Sequence, residues 1–140
     1  MQISNKPAFF QKPDWASFGI TSLLSFAVYL ATLAPENDLN FSGIFATSAM
    51  YLGVPNPPAY PLWTVYSALF VKLLPFLNIA WRVGLATATA SALTCGLIAL
   101  TVSRTGFLAV EYVSGFANLT AKEQAAFRIV CGGVAGMGFG

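Results

Sequence analysis

Most of the side chains here that could do chemistry stand between Pro35 and Pro61. Glu36, Asp38, Asn40, Ser42, Asn56 and Tyr60 fall in that stretch, which holds two acids and no base. A carboxylate such as Asp38, placed at a membrane surface, could act as general base for a hydroxyl attacking an activated sugar, more so if partial burial raised its pKa. The same residues also suit a solvated helix exit. Arg82 follows Trp81 at the end of an apolar stretch. There a guanidinium either binds a lipid phosphate or snorkels to the headgroups. Gly132, Gly136 and Gly140 recur every fourth residue, a spacing that lets a neighbouring helix approach closely.

Composition decides which of these chemistries are open. The chain has 140 residues, 56% of them hydrophobic and 9% charged, with a net charge of +2 and no histidine. Its mean hydropathy is +0.68. A small soluble domain needs far more polar surface than this, so the sequence describes a membrane protein. Without histidine there is no Ser-His-Asp triad and no His-ligated haem or zinc. No cofactor and no metal site are expected. The small net charge and the lack of a dense basic patch exclude nucleic acid as a partner. Cys95 and Cys131 stand in apolar surroundings without CxxC spacing and suit buried thiols.

The elements that must carry these residues are helices. Residues 1–14 are polar and are expected as a cytoplasmic segment, and 15–140 as one membrane helical domain. Trp15 to Ala34 holds no charge over 20 residues, enough to cross ~30 Å of hydrocarbon. Spans are predicted at about 15–34, 60–78 and 83–103, with a partial one at 124–140. Phe41 to Gly53 is too short to cross and is predicted as an interfacial or re-entrant helix, ended by Gly53 and Pro55. The predicted fold is therefore all-α, a polytopic membrane bundle of three to four transmembrane helices plus an interfacial helix in the first outer loop. Pro57-Pro58-Ala59-Tyr60 matches a WW-domain ligand, but immediately before an apolar span it suits a rigid polyproline elbow. The last glycine-rich run lacks a P-loop's Gly-Lys-Ser/Thr, so nucleotide binding has no support. It also stops without a polar flank, which suggests a longer chain.

Basic residues in short loops set orientation. Lys6 and Lys12 precede the first span, while Lys72 and Arg82 surround the turn between the second and third. The amino terminus is expected in the cytoplasm, with the 35–61 loop outside. Arg104, Lys122 and Arg128 would then fall on or near the outer side. The expected location is a bacterial inner membrane.

The order of segments resembles one family. Tyr29-Leu-Ala-Thr-Leu-Ala-Pro35, Phe41-Ser-Gly-Ile-Phe45, Tyr51-Leu-Gly-Val-Pro-Asn-Pro-Pro-Ala-Tyr-Pro-Leu62 and Leu74-Pro-Phe-Leu-Asn-Ile-Ala-Trp-Arg-Val-Gly-Leu85 are similar to the N-terminal part of protein O-mannosyltransferase-like membrane proteins. These belong to the GT-C glycosyltransferase superfamily. The resemblance runs over roughly residues 27 to 104. It implies a multispanning enzyme that takes a sugar from a polyprenyl-phosphate donor, with acids of the first outer loop at the active site. Against that pattern, the motif aspartate falls on Phe41, the glutamate on Ile44, the histidine on Asn56, a glycine on Ala59 and an asparagine on Gly84.

Both motif acids are thus replaced by groups that cannot accept a proton. The reading that follows is a non-catalytic helical membrane scaffold or accessory subunit, a pseudoenzyme partnered by membrane lipids and other membrane subunits. Helix packing is assigned to Gly132, Gly136 and Gly140. Two alternatives stay open. In a fragment of a working glycosyltransferase, Asp38 would be the displaced catalytic base. In a polyprenyl-phosphate binding module, Asn56, Tyr60 and Arg82 would line the lipid site.

Overall fold

The computed structural model describes residues 9–33, 42–55, 60–111 and 119–140. Among them are five helices and no strand: α1 (Lys12–Thr32), α2 (Ser42–Tyr51), α3 (Pro61–Leu73), α4 (Ile79–Val110) and α5 (Ala121–Gly138). The chain divides into two compact units, Met1–Ser25 with Ser91–Gly140, and Phe26–Ala90. The helices α1 and α4 each run through both.

α1 begins three residues before the predicted span. Pro13 lies in its first turn, where a missing N–H costs nothing. The Asp14 carboxylate accepts the Gln11 N–H at 2.9 Å, so the first turn is closed by its own acid. At 21 residues, α1 is long and apolar enough to cross a membrane, as is α4 with 32. α4 does not stop at Arg104 but continues to Val110. No proline interrupts residues 104–110, and arginine is a good helix former.

In the first unit α1 and α4 are antiparallel. Ser103 meets Asp14, and a Cβ on Gly96 would strike Ser22 and Phe18. α5 runs parallel to α1, with Arg128 beside Asp14, Gly132 beside Ser17 and Gly136 beside Thr21. The result is an up-down-up arrangement of three helix segments. Besides Leu100 and the pair Asp14 and Arg128, its buried residues are small or hydroxylated (among them Ser17, Thr21, Ala92, Cys95, Ala99 and Ser103), while Leu23, Leu24, Leu93, Leu97, Val130 and Val134 are exposed. A water-soluble core would have the reverse order. Small residues inside and branched aliphatics outside are what close helix packing in lipid demands.

In the second unit α2 packs on α3. α2 ends with Leu52 in the left-handed region, φ 53°, and the Gly53 N–H returns to Ser48 O at 3.0 Å. Leu52 thus takes the position that glycine usually fills in such a cap. α3 starts at Pro61 and stops before Pro75, with Leu74 extended as a residue preceding proline must be. Its 13 residues cover ~20 Å, short of the ~30 Å hydrocarbon thickness. The Tyr66 hydroxyl ties α3 to α4 through Thr89 Oγ1 at 2.7 Å and Ala86 O at 3.2 Å. Asn78 caps α4 by accepting the Trp81 N–H at 2.8 Å.

A Cβ on Gly84 would lie 2.8 Å from Leu33 Cδ1, so the start of α4 lies beside the end of α1. Residues 34–78 therefore leave α1 and rejoin α4 at one end. Within 60–78, expected as a crossing, the helix is α3 alone, 13 residues between its two bounding prolines.

Candidate functional site

Of the residues singled out from sequence, Asp38 and Asn56 lie outside the described residues, as does Phe41. Tyr60 is the N-cap of α3, half exposed, and its ring lies 6.1 Å from that of Phe45. It borders a cavity of about 260 Å³ together with Leu52, Val54, Pro55, Thr64 and Val65. A second cavity of about 350 Å³ is bounded by Gly43, Ile44, Thr47, Ser48, Tyr51 and Val54. Ile44 stands at the position of the motif glutamate and is 42% exposed.

Hydroxyls in these walls are turned inward. Thr47 donates to Gly43 O at 2.8 Å, Ser48 to Phe45 O at 2.9 Å and Thr64 to Tyr60 O at 3.0 Å. What the two cavities offer is hydrocarbon surface, with no carboxylate among their described lining residues. Such walls suit an apolar chain better than a charged headgroup.

Arg82 is committed elsewhere. Nε donates to Phe76 O at 3.0 Å, Nη1 to Val71 O at 3.1 Å and Nη2 to Leu77 O at 2.8 Å. Those carbonyls belong to the end of α3 and the turn after it, where α3 cannot satisfy its last C=O groups. Leu77 is held at φ 64° in the same turn. A guanidinium, with five donors in a fixed fork, meets three diverging carbonyls where an ammonium could not. Arg82 is a clamp on the α3–α4 turn.

The strongest polar cluster is one that residue-by-residue reading passed over. Asp14 is fully buried and Arg128 is 3% exposed. Arg128 Nε donates to Asp14 Oδ1 at 3.0 Å, Nη2 donates to Asp14 Oδ2, and Nη1 donates to Gln11 Oε1 at 2.7 Å. Ser103 adds a donor to Asp14 Oδ1 at 2.6 Å. The Phe107 ring covers the Arg128 guanidinium at 4.5 Å. Every partner that a buried carboxylate needs is thus supplied from α1, α4 and α5. The one available signal is a stripe: Asp14, Ser17, Thr21 and Ser25 are the buried residues of α1 and share one face at helical spacing.

Gly132 and Gly136 are buried on the face of α5 towards α1 and α4. A Cβ on Gly132 would stand 2.5 Å from Ala99 O, and one on Gly136 2.5 Å from Cys95 O. Gly140 lies past the end of α5 and is exposed, so the helical repeat of packing glycines is two long. The antiparallel course of α4 also gathers Lys12, Arg104, Lys122 and Arg128 at the Asp14 end of the first unit. This corrects the expectation that Arg104, Lys122 and Arg128 lie on the side opposite the amino terminus. No group of residues able to hold a metal ion occurs among the described residues.

Comparison with known proteins agrees with the motif order. Residues 42–140 match the family described as the protein O-mannosyl-transferase TMEM260 N-terminal domain. The chain is similar to protein O-mannosyl-transferase TMEM260 of Mus musculus, with 35% identity over 99 residues. That match covers 67% of this chain and 14% of the mouse protein. No solved structure matches.

Proposed function

The chain belongs to the protein O-mannosyl-transferase TMEM260 N-terminal domain family, and from that premise we propose that it is a non-catalytic helical scaffold of a glycosyltransferase-like membrane assembly. Ile44 carries this reading. It stands where the resemblance puts a glutamate, half-exposed on the wall of a 350 Å³ cavity, and a sec-butyl group neither takes a proton nor holds a cation. The three carbonyl bonds of Arg82 support scaffold over lipid-carrier function, because a clamped guanidinium has fewer donors left for a phosphate.

In this reading α1 and α4 cross the membrane, and α5 makes a third crossing from Gln124 onward, its first turn lying outside the bilayer. α2 and α3 form a non-crossing element in the first outer loop. The basic residues at the Asp14 end support a cytoplasmic amino terminus. Other membrane subunits dock on the aliphatic outer faces.

The test is transfer of labelled mannose from a polyprenyl-phosphate donor to protein acceptors, in membranes carrying the chain. No transfer above membranes without it is expected, together with co-purification of a membrane-protein partner that Asp38→Asn leaves bound. Transfer that disappears in Asp38→Asn would overturn the scaffold reading in favour of a piece of a working enzyme. A chain that runs alone and monodisperse in mild detergent would count equally against it.

A further inference from the structure

A second cation at the Asp14 end has no counter-charge among the described residues. The Arg104 guanidinium carbon lies 5.1 Å from the centroid of the Phe9 ring and 5.8 Å from that of Phe107. Its Nε is buried and has no hydrogen-bond partner among the described residues. The acids of this end are committed or make no ion pair with Arg104 among the described residues. Asp14 is spent on Arg128, Ser103 and Gln11, Glu123 turns back onto Thr120, and Glu111 lies exposed beyond the end of α4. Arg104 and Arg128 share the Phe107 ring, yet only Arg128 is neutralised.

The surroundings of Arg104 show at what depth it lies. Phe9, Phe10, Trp15 and Phe18 form a chain of edge-on ring contacts, 5.0, 6.5 and 5.8 Å between successive centroids. Phe9 and Trp15 are more than half exposed. An aromatic girdle containing tryptophan, beside helices with aliphatic outer faces, belongs at the headgroup level of a bilayer. A half-buried guanidinium at that level, with two rings beside it, is complementary to one kind of group. That group is a phosphate oxygen pair, which arginine meets with two parallel donors.

We propose that Arg104, framed by Phe9 and Phe107, binds the phosphodiester of an anionic phospholipid headgroup. Lipid thereby supplies the anion that no described residue offers Arg104. The inference rests on α1 and α4 lying in a membrane and is independent of whether the chain catalyses transfer.

Native mass spectrometry of the full chain, released from vesicles of equal phosphatidylglycerol and phosphatidylcholine, reads the site directly. Wild type is expected to retain phosphatidylglycerol preferentially, and Arg104→Gln to retain it about fivefold less, the weight of one basic residue at a lipid surface. Lys122→Gln is expected to retain it as wild type does. Equal retention by wild type and Arg104→Gln would overturn the proposal. Millimolar inorganic phosphate is expected to leave the adduct in place, and displacement by it would reassign the site to a soluble phosphate. Should Arg104→Gln fail to fold, wild type alone decides: its melting temperature is expected to be higher in phosphatidylglycerol nanodiscs than in phosphatidylcholine ones. Equal melting in the two would refute the lipid site.

Discussion

Arg128 of α5 holds Asp14 of α1 with two donors, Nε to Oδ1 at 3.0 Å and Nη2 to Oδ2, across 114 positions of sequence. Both groups are buried, so neither can fall back on water when the other is removed. Asp14→Asn and Arg128→Gln are each expected to cost about 3–5 kcal/mol, the usual toll of an orphaned buried charge. The double variant removes both charges and is expected to cost less than the sum of the singles. Unfolding in detergent, followed by circular dichroism, measures all three. Additive losses would mean that the two side chains do not act as a pair.

Close approach of α5 depends on two glycines and not on their neighbours. A Cβ at Gly132 or Gly136 would meet a backbone carbonyl of α4, which cannot swing aside as a flexible side chain can. Gly132→Ala and Gly136→Ala are expected to destabilise by about 1–3 kcal/mol through overpacking. Gly138→Ala, with nothing within 4 Å of its added carbon, is expected to be neutral or slightly stabilising. The contrast within one helix is the measurement, and a Gly138→Ala loss matching that of Gly136→Ala would remove the packing explanation.

The turn after α3 depends on Arg82. Arg82→Ala leaves the carbonyls of Val71, Phe76 and Leu77 without their donors, and a loss of about 1 kcal/mol is expected, since most of these bonds are exposed to solvent. Arg82→Lys is expected to recover little of it, since one ammonium cannot reach all three oxygens. Leu77→Gly is expected to act in the opposite direction, because φ 64° is costly for leucine and free for glycine. Full rescue by Arg82→Lys would mean that charge, rather than the fork of donors, holds the turn.

What could be read from sequence followed the range over which each feature acts. The ends of α2 and α3 were legible because Gly53, Pro55, Pro61 and Pro75 constrain their own backbone and that of one neighbour. The apolar runs of α1 and α4 were legible because crossing a bilayer needs a length that few soluble helices reach. The course of the chain after α1 was not. The shortness of α3 is visible only when both its prolines act as boundaries, and the shared end of Asp14, Arg104 and Arg128 only when α1, α4 and α5 are in contact. The Asp14–Arg128 pair was missed because a lone acid in a polar lead-in looks solvated, and nothing local announces a partner more than a hundred positions away.

α5 begins with a capping box that should respond to acid. The Thr120 N–H and hydroxyl both donate to Glu123 Oε2, at 2.8 and 2.7 Å, and the Glu123 N–H returns to Thr120 Oγ1 at 3.4 Å. The Thr120 hydroxyl, followed by its backbone N–H, holds the Glu123 carboxyl below its ordinary pKa. A carboxyl whose pKa is lower folded than unfolded binds protons more readily in the unfolded chain. Its contribution is therefore complete above the unfolded pKa and is lost as pH falls through the folded one. Amide exchange in the first turn of α5 is expected to accelerate across that acidic window. Glu123→Gln is expected to abolish this response while keeping a side-chain acceptor for Thr120. Because Glu123 is solvated, the effect should be confined to that turn, and global melting in the same window would have to be traced to another acid.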